Sequence, residues 1–513
     1  MKRTVMLAVS AILLTIIIVS AAILIVRNPS VDKTFYVGVT YGGDTVEGAK
    51  LLIDKVKDYT NLFILASGSL QHNLTYVEEI GDYAIASGLN FAPAYGAYFE
   101  NKAPPGWVNT AQQHWGNHFI GIYFYDEPGG KMLDDHVQFT SYNNPFLSKS
   151  PHGNPNGNIL IDEVNIERGG IEWNTYRTSY YPNGTVKVLA SSPDENKTKI
   201  GNLVIFYPDD SSEVIPNVPW REEKRIEYPN GTTTIFSPES IYIEVTYHPD
   251  GTIIALESYD NFDTVVEDNK RRLPVESFSD VLDRNPLKTF DEAAQVFETE
   301  TTWRLQPLEN SPVPIFTSDY ALYWWDYQSG YDFVLAQVGW NNSITQEIGL
   351  VRGAANLHNK QWGTILTWKY TQAPYLPEGK ELFDQMKTSY ENGAQYVIVF
   401  NYSDDVTNPN ILQEEHFQAL ERFWDDVVQN PSIVQGGIRA EAVLVLPQNY
   451  GWGMRHPNDI IWGIWSANST SQEIWNQLQT SIDQYGTKLD IVFEDPNHPA
   501  AGKYTYTHYW NQP

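Results

Sequence analysis

Cysteine is absent from the sequence, and positively charged residues are scarce. The lack of cysteine excludes a disulfide framework, a thiolate metal site and a cysteine nucleophile. The 513 residues include 34 Lys and Arg against 63 Asp and Glu, which gives a formal net charge of −29. A protein this acidic lacks the basic face that neutralises nucleic-acid phosphates, so nucleic acid is excluded as a partner.

Motifs for bound cofactors are missing as well. The 11 histidines show neither an HExxH pattern nor clustered metal-ligand spacing. There is no P-loop, and no GxGxxG follows a strand, so no nucleotide-binding motif is present. We therefore expect no metal and no other cofactor.

Aromatic residues, in contrast, are abundant, with 16 Trp, 32 Tyr and 21 Phe. Disordered chains lack the apolar surface needed to offset the entropy of ordering, so this composition predicts a folded protein. The length allows two or three domains, or one large barrel with insertions.

A nearly unbroken apolar run at residues 4–26 predicts a membrane anchor. As a helix it would extend roughly 35 Å at about 1.5 Å per residue, enough to cross a bilayer. Lys2 and Arg3 precede the run, so the positive-inside rule places the N-terminus in the cytoplasm. A cleaved signal peptide is the alternative, but its apolar region is usually only about 7–15 residues long. We expect an uncleaved single-pass anchor in the cell membrane, with the folded domains outside.

Seven Asn-x-Ser/Thr sequons agree with an extracellular glycoprotein. They start at Asn73, Asn183, Asn196, Asn230, Asn341, Asn401 and Asn468.

Strand-like and helix-like segments alternate along most of the chain. The strands are nearly continuous apolar runs, which is typical of a parallel sheet covered on both faces. Eight such runs predict an α/β fold, a (β/α)8 TIM barrel with halves at 34–130 and 286–430. A doubly wound open sheet is the alternative, although it more often has five or six strands. The eight predicted strands are 35–40, 62–66, 91–95, 119–125, 314–317, 333–338, 363–368 and 396–401.

Two further segments interrupt or follow this alternation. Residues 157–262 contain four Pro-Asn-Gly or Pro-Asp turn units between β-branched and aromatic runs, so they predict an antiparallel β-meander inserted after strand four. Residues 437–513 predict a small α/β appendage with strands at 440–446 and 489–493.

The active site of a TIM barrel forms at the C-terminal ends of its strands. Aromatic residues and carboxylates recur at these ends, a combination that suits sugars, because aromatic rings stack on pyranoses and carboxylates accept hydroxyl hydrogen bonds. Packing of the loops is the alternative role for any single ring. The predicted substrate-binding residues are Tyr41, Asp44, Tyr95, Tyr125, Tyr320, Trp324, Trp340, Trp368, Lys369 and Tyr402.

The tripeptide Asp126-Glu127-Pro128, at the end of strand four, resembles the Asn-Glu-Pro motif of clan A glycoside hydrolases. These are retaining TIM-barrel enzymes, and the resemblance implies that Glu127 is the general acid/base and that Asp126 occupies the position of the clan's Asn. The clan's nucleophile is a Glu at the end of strand seven, but residues 367–370 contain no carboxylate. Asp319 or Asp126 is therefore the predicted catalytic partner, and Asp44 and Asp404 are further candidates.

These observations predict a membrane-anchored, extracellular glycoside hydrolase whose partner is a carbohydrate or glycan. A non-catalytic carbohydrate-binding or cell-surface structural protein on the same scaffold is the alternative, because a fold does not guarantee an activity.

Overall fold

The structure is a computed structural model that describes most of the chain after residue 34. The described residues are 35–96, 105–134, 151–153, 159–166, 173–181, 183–191, 200–207, 211–219, 226–227, 233–234, 242–257, 289–340, 342–402 and 410–511. The predicted anchor, residues 4–26, lies outside them. Among the helices within these ranges, none combines the length and the apolar character needed to span a bilayer.

In residues 35–96 and 105–134, the structure shows four strands and four α-helices. Helix α1 shows how the sequence determines a helix of this shell. The Thr45 side chain accepts a hydrogen bond from the Gly48 N–H at the helix start, and apolar residues recur on the face that packs inward. The elements are β1 (Tyr36–Tyr41), α1 (Val46–Val56), β2 (Leu62–Leu65), α2 (Leu74–Ala86), β3 (Asn90–Tyr95), α3 (Pro105–Trp115), β4 (Ile122–Phe124) and α4 (Pro128–Asp134).

A separate antiparallel sheet follows α4. Between α4 and residue 289, the strand segments in the described residues are β5 (Pro151–Gly153), β6 (Ile159–Ile166), β7 (Trp173–Tyr180), β8 (Val186–Ser191), β9 (Ile200–Phe206), β10 (Ser212–Pro219), β11 (Ile226–Glu227), β12 (Thr233–Thr234), β13 (Tyr242–Tyr247) and β14 (Ile253–Glu257). Eight of them form one sheet in the order β10-β9-β14-β13-β8-β7-β6-β5, and β11 pairs with β12. This order differs from the predicted meander, because the β13–β14 hairpin lies between β8 and β9.

Two of the tight turns predicted from the sequence are present, and in each an Asn or Asp side chain caps the turn. The side chains of Asn183 and Asp250 each accept a hydrogen bond from the backbone N–H two residues further on, at 3.0 and 2.9 Å. Such Asx turns stabilise the tight reversal that a hairpin requires. The predicted turn at 228–232 lies outside the described residues.

The second part of the chain completes the barrel. Its elements are α5 (Phe290–Leu305), β15 (Ile315–Asp319), α6 (Tyr323–Ser329), β16 (Phe333–Val338), α7 (Ile344–His358), β17 (Gln361–Leu366), α8 (Gly379–Glu391), β18 (Tyr396–Val399) and α9 (Glu414–Phe423). Parallel pairing of β18 with β1 closes an eight-stranded barrel in the order β1-β18-β17-β16-β15-β4-β3-β2. The predicted TIM-type barrel is therefore confirmed, and the open-sheet alternative is wrong.

Five stacked aromatic rings cross the barrel interior. They come from β1, β18, β16, β15 and β4, their centroids are 4.0 to 5.3 Å apart, and neighbouring planes differ by at most 14°. The rings belong to Tyr36, Tyr396, Phe333, Phe316 and Tyr123. The barrel is thus a packed core, and a ligand can approach only from its ends.

The C-terminal segment adds a three-stranded parallel sheet to the outside of the barrel. Its elements are β19 (Ala442–Leu446), α10 (Ser469–Tyr485), β20 (Leu489–Phe493) and β21 (Tyr506–Tyr509), with strand order β20-β19-β21. The strand β21 was not predicted.

This sheet packs directly against α7. Gly349 and Gly353 face its backbone so closely that an added Cβ would lie 2.9 Å from the Leu489 carbonyl oxygen and 2.8 Å from that of Ile491. Between the two glycines, Arg352 forms a buried ion pair of 2.7 Å with Asp490. The barrel shell and the C-terminal sheet consequently share one continuous apolar core.

Candidate functional site

The turn after β4 carries the predicted acid and has an unusual backbone. Tyr125 and Glu127 both have positive φ, 53° and 56°, in the left-handed region that non-glycine residues rarely adopt. The surrounding strands hold this conformation: the Glu127 N–H donates to the Ser318 carbonyl at 2.9 Å, and the Thr317 hydroxyl donates to the Tyr125 carbonyl at 2.9 Å. Backbone strain of this kind concentrates at functional sites.

Asp126 and Glu127 belong to one hydrogen-bond network at the barrel mouth. Gln337 donates through Nε2 to Glu127 Oε1 at 2.6 Å and to the Ser318 hydroxyl at 3.0 Å. Ser318 in turn donates to Asp126 Oδ1 at 3.0 Å, and the Tyr123 hydroxyl donates to the same oxygen. Because three successive hydrogen bonds link Glu127 Oε1 to Asp126 Oδ1, these two oxygen atoms lie at most about 9 Å apart. This limit is compatible with the separations of roughly 5–9.5 Å between the two catalytic carboxyl groups of glycosidases.

The electrostatic surroundings favour the neutral form of Glu127. Burial raises its pKa to about 8, and the negative charge of Asp126 acts in the same direction. The hydrogen bond from Gln337 and the positive charge of Lys131 oppose this rise without cancelling it. Glu127 therefore carries a proton at neutral pH, as a general acid must.

Asp319, one of the two predicted catalytic partners, has a different role. Its side chain is fully buried and accepts backbone hydrogen bonds from Gly129 at 2.5 Å, Gly130 at 2.8 Å, Tyr320 at 2.7 Å and Ala321 at 3.2 Å. These bonds tie the start of α4 to the end of β15. A buried carboxylate engaged by four N–H groups is not open to a substrate, so this geometry does not support the predicted catalytic role of Asp319. It positions the Glu127-Pro128 turn instead.

An aromatic surface lies at the mouth beside this network. We call it the aromatic rim, and it consists of Trp340, Trp368, Tyr370, Tyr375 and Tyr402. Trp368 packs against Trp340 at a centroid distance of 5.6 Å and against Tyr375 at 5.0 Å. Its indole N–H donates to the Tyr402 carbonyl at 2.7 Å. Trp340, Tyr370 and Tyr402 are 42%, 43% and 36% exposed, so the rim offers ring surface to solvent.

Three of these residues were predicted to bind substrate, namely Trp340, Trp368 and Tyr402, and the structure brings them together. Tyr370 and Tyr375 are not among the predicted residues, and Tyr375 lies in the loop between β17 and α8, away from the strand end. Its carbonyl accepts hydrogen bonds from the N–H groups of Lys369 and Tyr370, which folds the loop back towards the mouth.

Four other predicted substrate-binding residues are buried, and these predictions need correction. Tyr41, Tyr95 and Tyr125 pack in the core between the barrel and its helices. Trp324 lies on α6, at 4.6 Å from the His358 ring and 6.1 Å from the Phe493 ring. A ring without exposed surface cannot stack on a sugar, so these residues have packing roles.

The remaining predicted residues lie at the edge of the mouth. Asp44 is exposed and accepts a hydrogen bond from Ser69 at 2.7 Å, and Lys369 forms an ion pair with Glu381 at 2.7 Å. Tyr320 is half-buried, and its hydroxyl donates to Asp134 at 2.6 Å. Asp404 lies outside the described residues.

The sequons differ in accessibility. Asn73, Asn183 and Asn468 are exposed. Asn401 is fully buried, and its amide nitrogen donates to Asn410 at 2.9 Å, so a glycan at this position is incompatible with the folded chain. Asn196, Asn230 and Asn341 lie outside the described residues.

Within the described part of the chain, one group of three side chains has metal-ligand spacing, namely His358, Asp495 and His498. It lies at the C-terminal end of α7, at the opposite end of the barrel from Glu127. A cavity of about 790 Å³, lined in part by Trp303 and Asp332, is likewise at that end.

Comparison with known proteins does not assign the chain to a family. No known protein family matches the sequence, and none of the curated proteins shows significant similarity to it.

Proposed function

We propose that the barrel mouth binds a carbohydrate and that Glu127 is the general acid for cleavage of a glycosidic bond, with Asp126 as its partner. The observation that carries this proposal is the linked pair itself: a protonated Glu127 beside Asp126, held in one network by Gln337 and Ser318. A carboxyl with a strongly raised pKa in a strained turn, as at Glu127, is typical of acid/base catalysis.

In the proposed reaction, Glu127 donates its proton to the glycosidic oxygen as the bond to the anomeric carbon breaks. The developing oxocarbenium ion is stabilised by the negative charge of Asp126. Asp126 then either removes a proton from an attacking water or attacks the anomeric carbon itself, and in the second case Glu127 later activates the water. The distance bound between the two carboxylates is compatible with both routes.

The aromatic rim supports a carbohydrate as the ligand. Exposed indole and phenol rings provide flat apolar faces for the C–H side of a pyranose, and their stacking costs little conformational entropy because each ring is already packed. Gln337 on β16 contacts Glu127, and Trp340 follows three residues later, so the rim begins close to the acid.

A non-catalytic binding protein is the second candidate. The end of β17 carries Trp368 and Lys369 where clan A enzymes have their nucleophile, and Asp319 is committed to backbone N–H groups. Among the candidate carboxylates that the structure describes, only Asp126 remains beside Glu127, and it already accepts two hydrogen bonds. These features favour sugar binding without cleavage.

Reducing-sugar release from a panel of polysaccharides distinguishes the candidates. We expect release by the wild type and a loss of at least about 100-fold in Glu127→Gln, which keeps the side-chain shape but has no transferable proton. Binding of the same glycan should persist in this variant and weaken in Trp340→Ala. Binding without release in the wild type would establish the non-catalytic alternative, and equal release by wild type and Glu127→Gln would refute the role of Glu127.

We also propose that the protein is anchored in the cell membrane through residues 4–26, with the barrel outside the cell. The apolar run and the three exposed sequons support this proposal. Protease added to intact cells should remove the barrel from the outside. Glycan removal should increase the electrophoretic mobility of the wild type, and single Asn→Gln variants at Asn73, Asn183 and Asn468 should each reduce that shift.

A further inference from the structure

A second cluster of ionisable side chains connects the C-terminal segment to the barrel. His358 ends α7, whereas Asp495 and His498 follow β20. One nitrogen or oxygen atom from each side chain lies within 4.8 Å of those of the other two. The two imidazole rings stack with a centroid distance of 4.0 Å.

The hydrogen bonding of His358 leaves one ring nitrogen of the cluster without a partner. Its Nδ1 lies 2.8 Å from the Ala354 carbonyl oxygen, and since a carbonyl only accepts, Nδ1 carries the proton. The lone pair is therefore on Nε2, which is buried and has no hydrogen-bond partner. A buried polar atom without a partner is uncommon in folded proteins, and it points to a missing ligand.

Asp495 and His498 provide the other half of the cluster. The Asp495 carboxylate lies 2.8 Å from His498 Nδ1 and accepts hydrogen bonds from Gln328 Nε2 at 3.2 Å and from the Asn497 N–H at 2.7 Å. These bonds fix the orientation of the carboxylate. In metal sites, a carboxylate that accepts a hydrogen bond from one ring nitrogen of a histidine orients the ring and leaves the other nitrogen for the ion.

We propose that His358, Asp495 and His498 bind a divalent transition-metal ion, with Zn²⁺ as the best match. Two imidazole nitrogens and one carboxylate oxygen are a typical zinc set, and water completes the four ligands. Ligands about 2.0–2.1 Å from a tetrahedral ion are roughly 3.3 Å apart, so binding draws the three side chains together. Because an ion lies in the plane of an imidazole ring, the partly exposed His498 turns out of the stack.

The proposed ion site lies apart from the barrel mouth and is independent of it. It would join the end of α7 to the loop after β20, and so add a link between the barrel shell and the C-terminal sheet. No sequence motif predicts this site, since His358 and the other two ligands lie far apart in the chain.

The test uses the full chain purified without a histidine tag and stripped with a chelator. Calorimetric titration with ZnCl₂ should give one equivalent bound with a Kd below about 10 µM. His358→Gln and His498→Gln should each weaken binding by at least about 100-fold, while the control His118→Gln, at an exposed site outside the cluster, should bind as the wild type does.

Thermal unfolding provides a second readout. Zinc should raise the Tm of the wild type and of His118→Gln, and it should leave the Tm of the two cluster variants unchanged. Absence of binding to the wild type up to about 100 µM ZnCl₂, or equal affinity in both cluster variants and the wild type, would overturn the proposal.

Discussion

At the scale of single residues, the proton of Glu127 is controlled by its neighbours. Burial and Asp126 raise its pKa to about 8, whereas Gln337 and Lys131 act against them. The neutral form is favoured because an ionised carboxylate here would lose water and face a second negative charge. The chemistry proposed for Glu127 and the stability of the fold depend on this same balance.

The balance predicts that Glu127→Gln stabilises the protein at neutral pH. The folded-state pKa of Glu127 lies above its unfolded value of about 4.5, so the wild type loses stability as the pH rises from about 4.5 to about 8. Glutamine carries no charge, so the variant does not lose this stability. Its free energy of unfolding should exceed that of the wild type by about 1–3 kcal/mol at pH 7 and should differ little at pH 4. Thermal unfolding of the wild type and the variant at pH 7 and at pH 4 measures this difference. An equal difference in stability at the two pH values would contradict the raised pKa of Glu127.

Lys131 offers a test of the same electrostatics through activity. If Glu127 acts as an acid, its ionisation produces a decline in kcat/KM near pH 8. Lys131→Met removes a positive charge that lowers this pKa, so the decline should move to higher pH. Lys50→Met, on the distant helix α1, is the control and should leave the pH profile unchanged. A profile that moves to lower pH, or not at all, in Lys131→Met would be inconsistent with the proposed acid.

At the scale of elements, the short helix α4 depends on Asp319. The two glycines at its start leave no room for a side chain, because an added Cβ at Gly129 would lie 2.4 Å from the Ala321 carbonyl oxygen. The helix therefore approaches β15 closely enough for its first N–H groups to reach the carboxylate. This contact fixes the turn that carries Glu127.

Asp319→Ala should lower both stability and activity. The change leaves four buried N–H groups without their acceptor, which should cost about 3–5 kcal/mol. Asp44→Asn is the control, since Asp44 is exposed and makes one hydrogen bond to Ser69, and its cost should stay below about 1 kcal/mol. The midpoint of thermal unfolding compares the two. Similar midpoints for both variants would show that Asp319 does not hold this turn.

The sequence predicted the barrel elements well because their strands are continuous apolar runs, and β16 has the predicted bounds. It could not separate Asp319 from a catalytic residue, because a carboxylate at a strand end looks the same whether it faces substrate or backbone. It also could not tell the exposed Trp340 from the buried Trp324, since exposure depends on how the following helix packs. The strand β21 is largely exposed, so it lacks the apolar signal of the others.

At the scale of the whole molecule, the C-terminal segment is part of the barrel's outer layer. The sequence predicts an appendage, because strands and a helix recur after the eighth barrel strand. It does not reveal that β20 packs closely against α7, since that contact depends on glycines spaced along a helix. Trp325 extends the same core, with its ring 4.6 Å from Trp462 and 4.4 Å from Phe493.

This shared core makes the buried pair Arg352–Asp490 a test of the molecule's cooperativity. Besides the ion pair, Arg352 donates to Asn392 at 2.9 Å and to the Thr487 carbonyl at 2.7 Å. Arg352→Met removes these bonds and leaves the buried carboxylate of Asp490 without its cation, at an expected cost of about 3–5 kcal/mol.

Because one core joins the barrel shell and the C-terminal sheet, this loss should lower the unfolding temperature of both together. Calorimetry shows whether the protein still unfolds in a single transition at a lower temperature. Limited proteolysis shows whether residues 437–511 are released before the barrel is cleaved. Lys488→Met is the matched control in the same segment: its ion pair with Glu441 is half-exposed, so its removal should cost less than about 1 kcal/mol. A separate early transition of the C-terminal segment in Arg352→Met, with the barrel transition unmoved, would show that the two parts unfold independently despite their common core.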